Sequence, residues 1–167
     1  MKTSGRTLGR RLMLLGDRLS RLKHRKGHGV HSPFVYGFVR KVLMSKALCE
    51  GPGTALCDSL LANGVAHRRA KELHNLLVYI EGQSYSINEV EGDLSILLAD
   101  YPTEKLAAAL ATAKTEGVAL VVCQPYANRE RQEAVKTLIA EHRSTTVDNR
   151  AYILFCNNHL PKQHYRL

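Results

Sequence analysis

The first half of the chain has the apolar spacing of α-helices. Ser32 and Pro33 predict the start of a helix that ends near Lys46, because serine suits the N-cap and proline suits the first helical position. A second helical pattern runs from Ala66 to Ile80. An earlier amphipathic helix is predicted over residues 5–25, because five leucines recur there at intervals of three and four residues. These leucines are Leu8, Leu12, Leu15, Leu19 and Leu22.

The second half alternates short apolar runs with helical patterns. One helix is predicted over 103–115, with Thr103 as its cap, and another over 128–142. Short apolar or alternating runs predict strands at 85–90, 94–98, 118–123, 144–147 and 152–155. The last two are close enough for an antiparallel hairpin, whereas the wholly apolar run at 118–123 is typical of a buried parallel strand. We therefore expect an α/β fold: a partial Rossmann-like sheet of about four or five strands with a terminal antiparallel hairpin, preceded by N-terminal helices.

Length and composition limit the class of protein. A chain of 167 residues is long enough for one ordinary core. No apolar run approaches the roughly 20 residues that span a bilayer, and the basic N-terminus lacks the apolar stretch of a secretory signal. The four cysteines have no metal-like CxxC spacing, and two of them lie in predicted strands. We therefore expect a cytoplasmic protein with reduced cysteines.

Charge divides the chain into two unequal parts. Residues 1–46 carry a formal charge of +11, whereas residues 47–167 carry −2. We expect a basic N-terminal helical segment over 1–46 and an α/β domain over 47–167. The segment could be an ordinary solvated helix, or it could bind nucleic acid, an acidic protein or anionic lipid. The candidate polyanion-binding residues are Arg10, Arg11, Arg18, Arg21, Lys23, Arg25 and Lys26.

Three stretches resemble one bacterial family of small class I S-adenosylmethionine-dependent methyltransferase-like proteins. The run from Gly27 to Tyr36, GHGVHSPFVY, is similar to the HG-x-HSPF signature of that family. The helix at 69–80 and the segment from Leu94 to the C-terminus, with ILLADYP, VALVVCQPY and the KQHY ending, resemble its other motifs in the same order. The resemblance implies a Rossmann-like sheet with one antiparallel strand near an edge, and S-adenosylmethionine as the cofactor.

The chain departs from that family where the cofactor would bind. Such enzymes have a glycine-rich loop after the first strand and an acid after the second, which approach the cofactor and hold its ribose. Only thirteen residues separate Ile80 from Leu94, and they contain no glycine cluster. They cannot supply two strands and a crossover helix. We therefore expect a shortened pseudoenzyme in which cofactor binding is weakened or lost.

Few residues are candidates for chemistry. Asp100 follows a predicted strand, where α/β folds place their ligands, and is the one weak catalytic candidate. It could equally be a loop acid or help to cap the next helix. The family tends to carry further acids where Cys123 and Gln124 stand, and a lone carboxylate is a poor metal site. Ser32 is expected to be a helix cap rather than a nucleophile, since nothing orients a base beside it.

Two functions are compatible with the sequence. One is a methyltransferase-family protein that is degenerate at its cofactor site. The other is a non-catalytic binding protein that uses residues 1–46 on nucleic acid or an acidic partner.

Overall fold

The computed structural model describes residues 32–51, 54–157 and 160–167. The leucine-striped helix predicted over 5–25 and the seven candidate polyanion-binding residues lie outside these ranges. Within them, no helix has the length and apolarity that crossing a bilayer requires.

Five α-helices and six strands make up the described structure. The first helix continues directly into a π-helical turn at Val39–Leu43, and a 3₁₀ turn at Thr103–Lys105 precedes the fourth. The helices are α1 (Pro33–Phe38), α2 (Thr54–Ala62), α3 (His67–Tyr79), α4 (Leu106–Glu116) and α5 (Arg129–Glu141). The strands are β1 (Tyr85–Ile87), β2 (Leu94–Leu97), β3 (Ala119–Cys123), β4 (Thr146–Asp148), β5 (Tyr152–Phe155) and β6 (His164–Arg166).

All six strands form one sheet in the order β1-β2-β3-β5-β4-β6. Pairing is parallel between β1 and β2, between β2 and β3, and between β4 and β6. Only β5 runs antiparallel to its neighbours, and it lies between β3 and β4. The predicted α/β class, the Rossmann-like sheet and the terminal hairpin are therefore confirmed.

The sheet separates two apolar clusters, because successive strand residues face opposite sides. Helices α1, α2 and α3 pack on one face, where Phe38, Leu60 and Leu73 contact a cluster containing Ile96 and Leu154. Helices α4 and α5 pack on the other face against a second cluster: Leu97, Leu106, Leu120, Val135 and Phe155 are among its members. Residues 32–46 are thus part of the same core as the sheet.

Polar side chains of α3 form hydrogen bonds with the backbone of residues 47–49, which precede α2. The Asn75 amide accepts from the Cys49 backbone N–H at 2.9 Å and donates to the Ala47 carbonyl at 3.0 Å. The buried His74 contacts the Cys49 carbonyl at 2.9 Å. These bonds satisfy polar groups that would be costly to bury unpaired. Helix α3 therefore buries polar side chains as well as its leucines.

Several local predictions need correction. The sheet has six strands rather than four or five, because the short C-terminal strand β6 pairs with β4. The helix α2 was not among the predicted elements. Thr103 is not a helix cap: it begins the 3₁₀ turn, whose N-cap is Pro102 and which has no side-chain cap. Gly117 ends α4 in the left-handed conformation, which glycine adopts without strain.

The connection between β1 and β2 is unusually short. Parallel neighbours ordinarily need a crossover of a dozen or more residues, yet residues 88–93 suffice here. The return path is short because β1 has three residues and is about 10 Å long. The Ser86 hydroxyl bonds the carbonyls of Glu89 and Glu91 at 2.9 and 3.1 Å, and the buried Ser95 hydroxyl also bonds the Glu89 carbonyl. These serine hydrogen bonds hold the connection against the strands, where a crossover helix would ordinarily lie.

Candidate functional site

A cavity of about 700 Å³ opens where β2 and β3 end and β5 begins. The turn between α2 and α3, with Val65, and the α3 side chains Arg69 and Leu73 form the opposite wall. Ligands of open α/β sheets bind outside the carboxyl ends of the strands. The cavity, hereafter the strand-end cleft, is therefore the candidate site.

The predicted candidate Asp100 lies in the strand-end cleft and is exposed. Its carboxylate accepts from the Asn88 side-chain amide at 3.1 Å. The other end of that amide, Oδ1, accepts from the Leu98 backbone N–H at 2.8 Å. Asp100 does not cap the following helix. The Asp100 carboxylate instead bonds Asn88, the residue that follows β1.

Asn88 itself has a left-handed backbone, with φ of 60°. Asparagine tolerates this conformation better than most residues, but glycine is the residue that adopts it freely. Its side chain closes the gap between the ends of β1 and β2.

Two further left-handed residues border the cleft, Gln124 after β3 and Arg150 before β5. Their φ angles are 45° and 70°. The Gln124 N–H donates to the Ala151 carbonyl at 2.8 Å, and the Arg150 N–H donates to the buried Asp148 carboxylate at 2.7 Å. Strained backbone of this kind persists where the surroundings fix it, and it concentrates at ligand sites.

A buried arginine lies beneath the strand ends. Arg131 of α5 is 1% exposed, and its guanidinium donates to the carbonyls of Leu98 at 2.8 Å, Tyr101 at 2.7 Å and Cys123 at 3.2 Å. Burial lowers the pKa of Arg131, and the neighbouring Cys123 and Asp100 oppose that shift. Arg131 therefore links the ends of β2 and β3 through hydrogen bonds to their backbone carbonyls.

The sequence analysis missed Arg131, although a signal was present. Arg131 precedes Val135 by four residues and Leu138 by seven, which places it on the buried stripe of the helix. A charged residue on an apolar stripe is unusual enough to be a candidate.

One wall of the cleft has a charge cluster on α3. The buried Glu72 carboxylate accepts from Arg68 at 3.0 Å and from Arg69 at 2.5 Å. Tyr152 lies near this cluster, and burial, followed by the charge of Glu72, raises its pKa well above the ordinary value. The Tyr152 hydroxyl is buried and makes no hydrogen bond of ordinary geometry with the described residues.

The Cys123 thiol cannot serve as a nucleophile near neutral pH. Burial raises its pKa to about 12, although the nearby Arg131 acts to lower it. A thiolate is the reactive form of cysteine, and almost none is present at that pKa. Within the described part of the chain, no three His, Cys, Asp or Glu side chains are grouped so that they could hold a metal ion.

Ser32 has the structural role predicted for it. Its hydroxyl accepts from the Val35 backbone N–H at 3.4 Å, and Pro33 follows as the first residue of α1. The structure thus brings Asp100 to the strand-end cleft and places Ser32 at a helix start. The cleft residues Arg69 and Tyr152 were not predicted, nor was Asn88, which bonds Asp100.

Comparison with known proteins identified no relative of this chain. No family model, no curated protein and no solved structure matches this chain.

Proposed function

We propose that this chain is a shortened, non-methylating relative of the class I S-adenosylmethionine-dependent methyltransferases. The observation that carries the proposal is the six-residue connection from β1 to β2. In the family that the sequence resembles, this interval holds the glycine-rich loop and the acid that binds the ribose. Here it holds no glycine cluster, and no second strand at whose end such an acid could lie.

The residues after β1 give a physical reason for the loss. A cofactor that lies against the end of this strand needs backbone free of side chains. Asn88 occupies the position, and its amide is bonded to both Leu98 and Asp100. Gly92, the one glycine in the connection, has a φ of 73°, and an added Cβ would lie 2.8 Å from the Ser84 hydroxyl. It therefore serves the turn into β2.

The sheet order is compatible with this descent. Five strands share one direction and a single reversed strand, β5, lies among them, which is the arrangement that the resemblance implies. β1 lies at one edge of the sheet. Strands that would carry the rest of a cofactor site would be expected beyond that edge.

The proposal is tested by ligand-dependent stability. A ligand that binds only the folded state at about 100 times its Kd raises the free energy of unfolding by about 2.7 kcal/mol. We expect S-adenosylhomocysteine to leave the unfolding temperature of the full chain unchanged. A rise that saturates with ligand concentration would overturn the proposal.

A second candidate function is binding of polyanions by residues 1–46, and the +11 charge of that segment favours it. Phosphates bound by lysine and arginine release counterions, so the affinity for duplex DNA should fall linearly on logarithmic axes as salt rises. The expected slope is about −0.9 per phosphate neutralised.

Two full-length variants with matched charge test this function. One changes Arg10, Arg11, Arg18 and Arg21 to Gln, and the other changes the exposed body residues Lys105, Lys114, Arg129 and Arg143 to Gln. Fluorescence titration with labelled duplex and single-stranded oligonucleotides at several salt concentrations should show a weaker affinity and a shallower slope for the first variant only. Equal losses in the two variants would indicate that net charge, and not the N-terminal segment, attracts the polyanion.

A further inference from the structure

We propose that the strand-end cleft binds a small organic anion with a flat, apolar body. This inference is independent of whether the chain once bound S-adenosylmethionine, since it rests on side chains that surround the cleft. Its volume of about 700 Å³ lies within the range that small-molecule sites occupy.

The charged lining of the cleft favours an anion. Arg69 and Arg150 lie on opposite walls, the first from α3 and the second from the turn before β5. Asp100 is the one carboxylate among the described lining residues, and it already accepts from the Asn88 amide. Arg69 already donates to the Glu72 carboxylate, but a guanidinium has five N–H donors. Its remaining donors and those of Arg150 can bind a carboxylate or phosphate.

A third guanidinium strengthens the positive potential under the cleft. Arg131 is buried beneath the ends of β2 and β3, and its described bonds are to carbonyls. No carboxylate of the described chain lies within ion-pair distance of it. Asp100 is near enough to raise the pKa of Arg131 without forming an ion pair with it. Water screens a buried charge less than an exposed one, so Arg131 adds to the positive potential that an anion in the cleft would meet.

The rest of the lining favours a flat apolar body. Val65, Leu73 and Leu98 contribute aliphatic surface, and Tyr126 adds an aromatic ring that is 37% exposed. The Tyr126 hydroxyl donates to the buried Asp148 carboxylate at 2.6 Å, which fixes the ring in place. A fixed, partly exposed ring at a cleft is a stacking surface for another ring.

Tyr152 adds a buried ring to the same lining, and burial keeps its hydroxyl protonated. The rim is held by hydrogen bonds from the backbone N–H groups of Gln124 and Arg150 to the Ala151 carbonyl and the Asp148 carboxylate.

The experiment is a titration of the full chain with 2-naphthoate, a flat aromatic carboxylate. The chain contains no Trp, so the fluorescence of the naphthalene ring can be measured without protein emission in the same range. We expect saturable binding with a Kd below about 1 mM. The isosteric neutral amide, 2-naphthamide, should bind at least about tenfold more weakly, because it cannot form charge-assisted bonds with the arginines. 1-Naphthyl phosphate should bind comparably to the carboxylate.

Adjacent arginines of α3 supply a matched control. Arg68 and Arg69 both contact Glu72, but only Arg69 lines the cleft. We expect Arg69→Gln and Arg150→Gln each to weaken 2-naphthoate about tenfold and to leave the amide unchanged, whereas Arg68→Gln should bind as the wild type does. Arg150 is exposed, so its variant tests the site even if Arg69→Gln fails to fold.

Three results would overturn this inference. They are the absence of binding by both naphthalene anions below about 1 mM, equal affinity for the acid and the amide, and equal losses in the Arg68→Gln and Arg69→Gln variants.

Discussion

The left-handed backbone of Asn88 makes a quantitative prediction about stability. Asn88→Ala loses the bonds to Leu98 and Asp100 and keeps a Cβ at a φ of 60°. Asn88→Gly loses the same bonds but relieves the strain, which costs about 1–2 kcal/mol in a residue with a side chain. Urea unfolding should therefore show both variants to be destabilised, with alanine worse than glycine by about 1 kcal/mol. Equal losses would mean that the conformation carries no strain.

Sequence reasoning at single residues succeeded where the determinants are local. Ser32 was predicted as a cap because the serine, the following proline and the apolar spacing all lie within one helical turn. Asn88 was placed in a strand over 85–90, and the structure ends that strand at Ile87. Its conformation depends on Leu98 and Asp100, which are ten and twelve residues away. No local pattern contains that information.

The contact between helix α5 and strand β5 predicts a dependence on pH. His142, the C-cap of α5, is buried, and its Nε2 contacts the Cys156 carbonyl at 2.9 Å while its ring meets the edge of Phe155. Burial, with smaller effects of Lys114 and Lys162, lowers the pKa of His142 below its ordinary value of 6.5. Between those two pKa values the unfolded chain binds a proton that the folded chain does not. The contribution of His142 to the free energy of unfolding is therefore fully present above about pH 6.5 and is lost as the pH drops toward the folded-state pKa.

Urea unfolding at about pH 7.5 and about pH 5.5 measures this effect. The wild type should be less stable at the lower pH, and His142→Gln should reduce the difference. His67→Gln is the matched control, because His67 is exposed at the start of α3 and should leave the difference unchanged. The account of His142 fails if the two variants keep the same pH dependence.

Elements were predictable in proportion to their length and burial. Helices α3 and α5 and strands β2, β3 and β5 were placed within about two residues, because long periodic or wholly apolar runs carry their own signal. The strand β6 was missed: it has three residues, two of them exposed, and it exists through pairing with β4.

For the whole molecule, the short connection between β1 and β2 is the feature on which the proposed function depends. The sheet is arranged around one reversed strand, and the carboxyl ends of β2 and β3 border the strand-end cleft. The sequence indicated a shortened interval by counting thirteen residues between Ile80 and Leu94. It did not predict that β1 would pair directly with β2, since pairing across so short a parallel connection is rare. Nor did it predict the cleft, which is assembled from α3 and three strand ends.

The most direct measurement is isothermal titration of the full chain with S-adenosylmethionine and S-adenosylhomocysteine. Under the proposed descent, the six-residue connection that begins at Asn88 replaces the cofactor loop, so we predict that neither compound binds more tightly than about 1 mM, a free energy of about −4 kcal/mol. A low-micromolar Kd for either compound would contradict the account, and would mean that another part of the chain has taken over the cofactor site.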